Sequence, residues 1–130
     1  MNFHKADTAF SKYIRLRDSK DSIATCITCR EMDHFSKMTC GHYLKRRHTA
    51  TRWNEENCHA QCWYCNREEE RDITIMDRHA RELIRLHGPR VIARLVQAKN
   101  ARVKITQYDV DQIAEHYLKK IKEFEKPVMK

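Results

Sequence analysis

At 130 residues the chain is sized for one domain, and with 41% hydrophobic against 34% charged residues it can bury only a small core. A formal charge of +8 and a pI near 9.3 favour a polyanionic partner, nucleic acid before a membrane surface. No long apolar run and no signal-peptide core stand in the sequence, which argues against a membrane span and leads us to expect a cytoplasmic protein.

Phe3, Ala6, Phe10, Tyr13 and Ile14 fall at helical spacing and predict a short helix over 1–19. Its other face carries Lys12, Arg15, Arg17 and Lys20, either a solvated face or one that contacts phosphates. Residues 23–44 read as extended, with Met38 to Leu44 a short strand. Lys37 to Asn57 has no strong helical period and reads as a hairpin with a long basic loop, Lys45 to Arg52, and Trp53 at its base. From about Cys58 the chain is expected to turn helical. Thr74 with Asp77 resembles a capping box, and Ile75, His79, Leu83, Ile84 and Leu86 trace one face of a helix that Gly88-Pro89 stops. A short helix should end near Asn100. The last helix opens at Thr106, with Asp109 three residues on, and carries the stripe Val110, Ile113, Ala114, Tyr117, Leu118, Ile121 and Phe124. Such a stripe is either core or a dimer contact.

Cys26-x-x-Cys29 and Cys62-x-x-Cys65 can supply four thiolates to one tetrahedral Zn²⁺. Six cysteines in a reducing compartment read as metal ligands rather than disulfides. The interval between the pairs holds the chemistry. A neutral His42 there could take a proton from water and aim the hydroxide at a phosphodiester. Asn57 could fix the imidazole's orientation. Asn66, directly after the last cysteine, offers a hard carboxamide oxygen for Mg²⁺ or Mn²⁺. Lys45, Arg46, Arg47, His48 and Arg52, with Arg15 and Arg17, form the expected DNA-facing set. Trp53 and Trp63 could stack on bases, but packing around the zinc is the expectation for both. Cys40, His42, Cys58 and His59 allow a second zinc or two small buried thiols beside it.

Cys-x-x-Cys, then Gly41-His42-Tyr43, then Asn57, then Cys62-x-x-Cys65-Asn66 resembles a His-Asn-His (HNH) ββα-metal nuclease with a four-cysteine zinc. It is similar, more distantly, to phage endonuclease VII. The nearer resemblance is to the lambda NinG (Rap) family of phage recombination nucleases. It rests on Phe10 to Arg17, Cys40 to Tyr43, Arg46 to His48, Ala50 to Asn54 and Asn57 to Cys62.

The resemblance implies a phage or prophage protein of the bacterial host cytoplasm that cuts Holliday junctions, D-loops and related branched DNA. It makes His42 the general base, Asn57 the middle Asn and Asn66 the metal-binding position. HNH enzymes commonly carry an Asp ligand before the base, and this chain has Gly41. His59, His48 or Glu56 could supply the missing ligand, His59 standing with Asn66 in the expected set, or His42 could itself bind metal.

The resulting expectation is an α+β fold, a single domain over 1–130. An N-terminal helix (1–20) precedes a zinc-braced, HNH-like ββα-metal core (21–72) and a helical C-terminal region (73–130). Its function would be a Mg²⁺- or Mn²⁺-dependent endonuclease, working as a homodimer on branched DNA. A non-catalytic zinc module that binds branched or single-stranded DNA is the rival, and an RNA-binding zinc protein the third reading.

Overall fold

The computed structural model describes residues 1–125; the last five residues of the expected C-terminal region lie outside the described residues. The order is α1 (His4–Arg17), β1 (Ser19–Lys20), β2 (Ile23–Thr25), β3 (Met32–His34), β4 (Thr39–His42), β5 (Cys58–Gln61), α2 (Trp63–Glu68), α3 (Ile73–His87), α4 (Val91–Asn100) and α5 (Gln107–Glu125). Single 3₁₀ turns lie at Phe35–Lys37 and Thr49–Thr51. The architecture is α+β, as expected. No helix among the described residues is long and apolar enough to cross a membrane.

The first and last helices form one side of the molecule. Ala6, Ala9, Phe10 and Ile14 of α1 are buried, as are Val110, Ala114, Tyr117 and Ile121 of α5. These stripes pack on each other, with the Phe10 and Tyr117 rings edge to face at 4.8 Å. Each fully buried Phe or Ile is worth about 1.5–3 kcal/mol, so a few such contacts dominate a core this small. Much of the α5 stripe is therefore spent inside the protein, while its Leu118 and Phe124 stay exposed. Thr106 and Asp109 start α5 as expected. The Asp109 carboxylate accepts from the Thr106 N–H at 2.8 Å, and the Asp109 N–H donates to Thr106 Oγ1 at 3.2 Å.

Two small antiparallel sheets fill the middle, one ordered β1-β2-β3 and the other the β4–β5 pair. The register sets His42 opposite Cys58, Gly41 opposite His59 and Cys40 opposite Ala60. Side chains alternate between faces along a strand. Cys40, His42 and Cys58 thus share the face toward α1, where Cys40 and Cys58 meet Phe10 and Ile14. Gly41, His59 and Gln61 share the other face. The expected helix from Cys58 is corrected here. Cys58–Gln61 is a fully buried strand, and helix begins only at Trp63, where Cys62 Sγ accepts from the Cys65 N–H at 3.4 Å. Cys-His-Ala-Gln has no β-branched residue, and pairing with β4 decides its state.

The α3 start is corrected too. Asp72 caps it, accepting from the Thr74 N–H at 2.9 Å, while Asp77 pairs outward with Arg81. Ile75, His79 and Leu83 are buried as expected, but Ile84 and Leu86 are exposed. Gly88, at φ 94°, ends the helix in a conformation that side chains resist. Val91 and Leu95 of α4 then join Leu83 and Ile27 in a small cluster under the first cysteine knuckle.

Candidate active site and metal centres

The two cysteine pairs converge. Cys26 and Cys29 follow β2, Cys62 and Cys65 open α2, and the four Sγ atoms lie within 4.8 Å of one another. Cys29 and Cys62 stand 3.8 Å apart. Backbone N–H groups of Cys29 and Cys65 point at Cys26 Sγ and Cys62 Sγ, at 3.5 and 3.4 Å. Arg30, at φ 70°, makes the tight return that the first knuckle needs. Burial and the neighbouring thiols push the Cys29 thiol up to about 11. Four thiols this close ionise together only around a cation, and four sulfurs in this cluster fit a structural zinc.

Beside this brace lies a cavity of about 650 Å³ between α1, β4, the loop after β4 and α2. His42 and Cys40 line it from β4, Asp7 and Arg15 from α1, Lys45, Arg46 and Arg47 from the loop, and Asn66 and Glu70 from α2 and the turn after it. His42 is only 8% exposed. Its Nε2–H donates to the Arg52 carbonyl at 2.8 Å, which leaves the Nδ1 lone pair as the basic one. Burial and the charge of Arg46 hold the imidazole below its ordinary 6.5, so it is neutral at pH 7. Asn66 lines the cavity from α2 and donates to Thr39 Oγ1 at 3.0 Å, its carboxamide oxygen taking no hydrogen bond among the described residues. His42 and Asn66 are thus brought to one cavity.

Asn57 does a different job from the one expected. Fully buried, it accepts from the Leu44 N–H at 2.8 Å and donates to the Leu44 and Thr51 carbonyls at 2.9 and 3.1 Å. It closes the basic loop, and the loop's Arg52 carbonyl is what orients His42. His59 is corrected as a partner of Asn66. It lies on the opposite strand face, with Nε2 2.9 Å from His87 Nε2. Burial, Arg17 and His87 hold it down to about 2. Glu56 is no replacement ligand, since it pairs with Arg94 at 2.8 Å. His48 does not line the cavity.

Gly41 explains itself through Gln61. A Cβ at position 41 would stand 2.8 Å from Gln61 Cβ and 2.9 Å from its Cδ. The place where an HNH Asp would start is filled by a side chain of the partner strand. Gln61 in turn donates to Thr28 Oγ1 at 2.8 Å and reaches Glu69 at 3.4 Å. Glu69, itself buried, is paired with both Lys45 and His79. Burial alone would raise Glu69, but His79 and Lys45 outweigh it and keep the carboxylate ionised. Nothing in the polar run Arg67 to Arg71 marks Glu69 as the buried member.

The expected DNA-facing cations divide. Arg17 donates to the Glu55 and Cys58 carbonyls, at 2.9 and 2.7 Å, and to Asp18. Arg52 is clamped on Asp7, and Lys45 on Glu69 and the His42 carbonyl. All three are held by partners within the protein. Arg46 and Arg47 are exposed and only loosely paired, 3.6 Å from Asp7 and 3.5 Å from Glu70. Arg15 is half-buried and donates to the Phe35 carbonyl while lining the cavity beside Cys40. Trp53 packs, but against the start of the chain and α5 rather than around the zinc, donating to Asp7 at 3.0 Å and meeting Phe3. Trp63 does not pack; it is 60% exposed.

Cys40, His42 and Cys58 form a second cluster, each offering an atom within 4.8 Å of the others. It excludes His59, so the four-ligand set expected from sequence becomes three. A family model described as "Bacteriophage Lambda NinG protein" matches residues 2–127. No curated protein and no solved structure matches the chain.

Proposed function

The chain belongs to the bacteriophage lambda NinG family, and from that premise, which points to phage recombination, we propose that it is an endonuclease of Holliday junctions, D-loops and related branched DNA. The observation that carries this reading is the neutral, carbonyl-oriented His42 on the wall of a basic cavity. Arg15, Arg46 and Arg47 line the same cavity and would hold the non-bridging oxygens of a phosphodiester. His42 Nδ1 takes a proton from water, the hydroxide attacks phosphorus, and the bond to the 3′ oxygen breaks. Asn66 and Glu70 are hard oxygen donors on one wall, a set suited to Mg²⁺ or Mn²⁺ that keeps several waters. Such an ion would supply charge stabilisation at phosphorus and the leaving oxygen. Resolving a junction needs two cuts, so the working unit is a homodimer.

The test is cleavage of a synthetic four-way junction and a matched linear duplex, with Mg²⁺, Mn²⁺ or no added ion at retained zinc, by wild type and His42→Ala. Ion-dependent junction cutting that disappears in a folded, zinc-loaded variant is expected. Tight junction binding without cutting under any ion refutes the nuclease.

The second cysteine–histidine cluster favours one other reading. Two sulfurs and an imidazole are a soft donor set. If they hold zinc, His42 is a ligand rather than a base, and the protein is a non-catalytic zinc module that binds branched DNA. Zinc content separates the two: one ion per chain under the nuclease reading, two under the other, falling to one in Cys40→Ser.

A further inference from the structure

We propose that Trp63 and Tyr64 form a stacking platform for an unpaired base at the branch point of the DNA, next to the cavity that would cut it. This rests on the nucleic-acid reading above and adds the feature of the substrate that is recognised. Trp63 is 60% and Tyr64 55% exposed, on the first turn of α2. Two large aromatics at consecutive positions, both exposed to water on a small charged protein, leave apolar area uncovered that the fold does not use.

The platform has a charged layer already in place. The Arg67 guanidinium lies 4.2 Å from the Trp63 ring centre and 5.7 Å from that of Tyr64. Glu68 is 3.5 Å from Arg67 and pairs more closely with Arg71, at 2.7 Å, so it tempers this cation only partly. An indole beside a guanidinium suits a nucleotide, whose base stacks while its phosphate meets the charge.

Location selects the occupant. Trp63 and Asn66 are three apart on α2, neighbours on its surface, and Asn66 lines the cavity. On the other side, Tyr64 lines a groove of about 630 Å³ beside the zinc-site cysteines, where Arg30 and Arg78 are matched by Glu31 and Asp72. The aromatic pair thus stands beside the basic cavity, and the cations that serve it are Arg67 and those of that cavity. A continuous duplex presents no free base face there. A base released from the stack at a branch does, which gives a shape-reading protein its preference without sequence readout.

The test compares zinc-loaded wild type, Trp63→Phe and Trp63→Ala on a four-way junction, single-stranded DNA and linear duplex, reading tryptophan fluorescence and affinity without added Mg²⁺ or Mn²⁺ and without chelator. The junction and single strand are expected to quench wild-type emission, and duplex is not. The quench should vanish in Trp63→Phe, because the remaining Trp53 is packed against Asp7 and Phe3. Trp63→Ala should weaken junction and single-strand binding about tenfold or more while duplex binding stays within about twofold. Binding that proceeds with no Trp63-dependent quench, and equal affinity in Trp63→Ala, overturns the platform and leaves the nuclease reading standing. Failure to bind any DNA overturns both. A wild-type dimer that Trp63→Ala converts to monomer overturns the platform and makes the patch an interface between copies.

Discussion

Gly41→Ala should destabilise the protein by about 2–4 kcal/mol, although alanine is the smallest side chain that can be added. The new methyl would lie 2.8–2.9 Å from Gln61 Cβ and Cδ, against about 3.5–4.0 Å for an ordinary carbon contact. Gln61 Cβ sits on a paired strand and cannot swing away. Overpacking of this kind costs about 1–3 kcal/mol. Moving the Gln61 amide also strains its bond to Thr28 at 2.8 Å, worth about 1 kcal/mol net. At this chain length the sum corresponds to a fall in Tm of roughly 8–16 °C. Urea unfolding at fixed excess zinc measures it, beside Gln61→Gly, which removes the Cβ that the new methyl would strike, and the double variant. The double variant should recover at least about 1 kcal/mol relative to the sum of the singles, since the two sites touch. A Gly41→Ala protein within 0.5 kcal/mol of wild type would refute the argument that Gln61 keeps a ligand-bearing residue out of position 41.

The remaining expectations use the same geometry. Because burial lowers His42 below 6.5, single-turnover cleavage should be independent of His42 protonation at neutral pH and fall only as the pH drops through that lowered value. An acid limb above 6.5 would contradict it. His59 is held down to about 2, so between pH 7.5 and 5.5 the unfolded chain takes up a proton that the fold refuses. Stability is then greatest above 6.5 and should fall by about 1.4 kcal/mol over that window from this residue alone, a loss that His59→Gln removes from the urea midpoints. Zinc chelation, or Cys62→Ser, should unfold the middle of the chain and abolish DNA binding, read by circular dichroism and gel shift; a chelated protein with an unchanged spectrum would disprove the brace. Arg46→Ala and Arg47→Ala should each lower the salt dependence of binding by about one unit of slope. Arg17→Ala should leave the slope alone and lower the melting temperature, and the reverse pattern would overturn the division of the cations.

What could be read from the sequence was what depends on neighbours in the chain. The cysteine pairs declare themselves by spacing, Gly88 by the stop it imposes, and α5 by its Thr106–Asp109 start and apolar stripe. What escaped depends on distant partners. Cys58–Gln61 is a strand because β4 lies beside it. That pairing also turns His59 away from His42 by one step of the alternation. Arg17, Arg52 and Lys45 look like the exposed arginines in the sequence, and only the carbonyls and carboxylates waiting for them set them apart. The middle Asn was legible as a fixed residue, but its target, the loop backbone, was not. Trp63 differs from Trp53 only in having no wall to lean on.

The histidine depends on the first helix. Arg52, whose carbonyl orients His42, is clamped on Asp7 of α1, and α1 is seated by α5. Residues near 7 and 117 must therefore meet before the imidazole is set, and contacts so far apart along a chain form late. On the ribosome, the zinc knuckles and the β4–β5 hairpin can assemble while α5 is still being made. Competence at His42 would then come last, as a property of the finished chain. On the proposed nuclease reading, the site would stay silent during the protein's own synthesis.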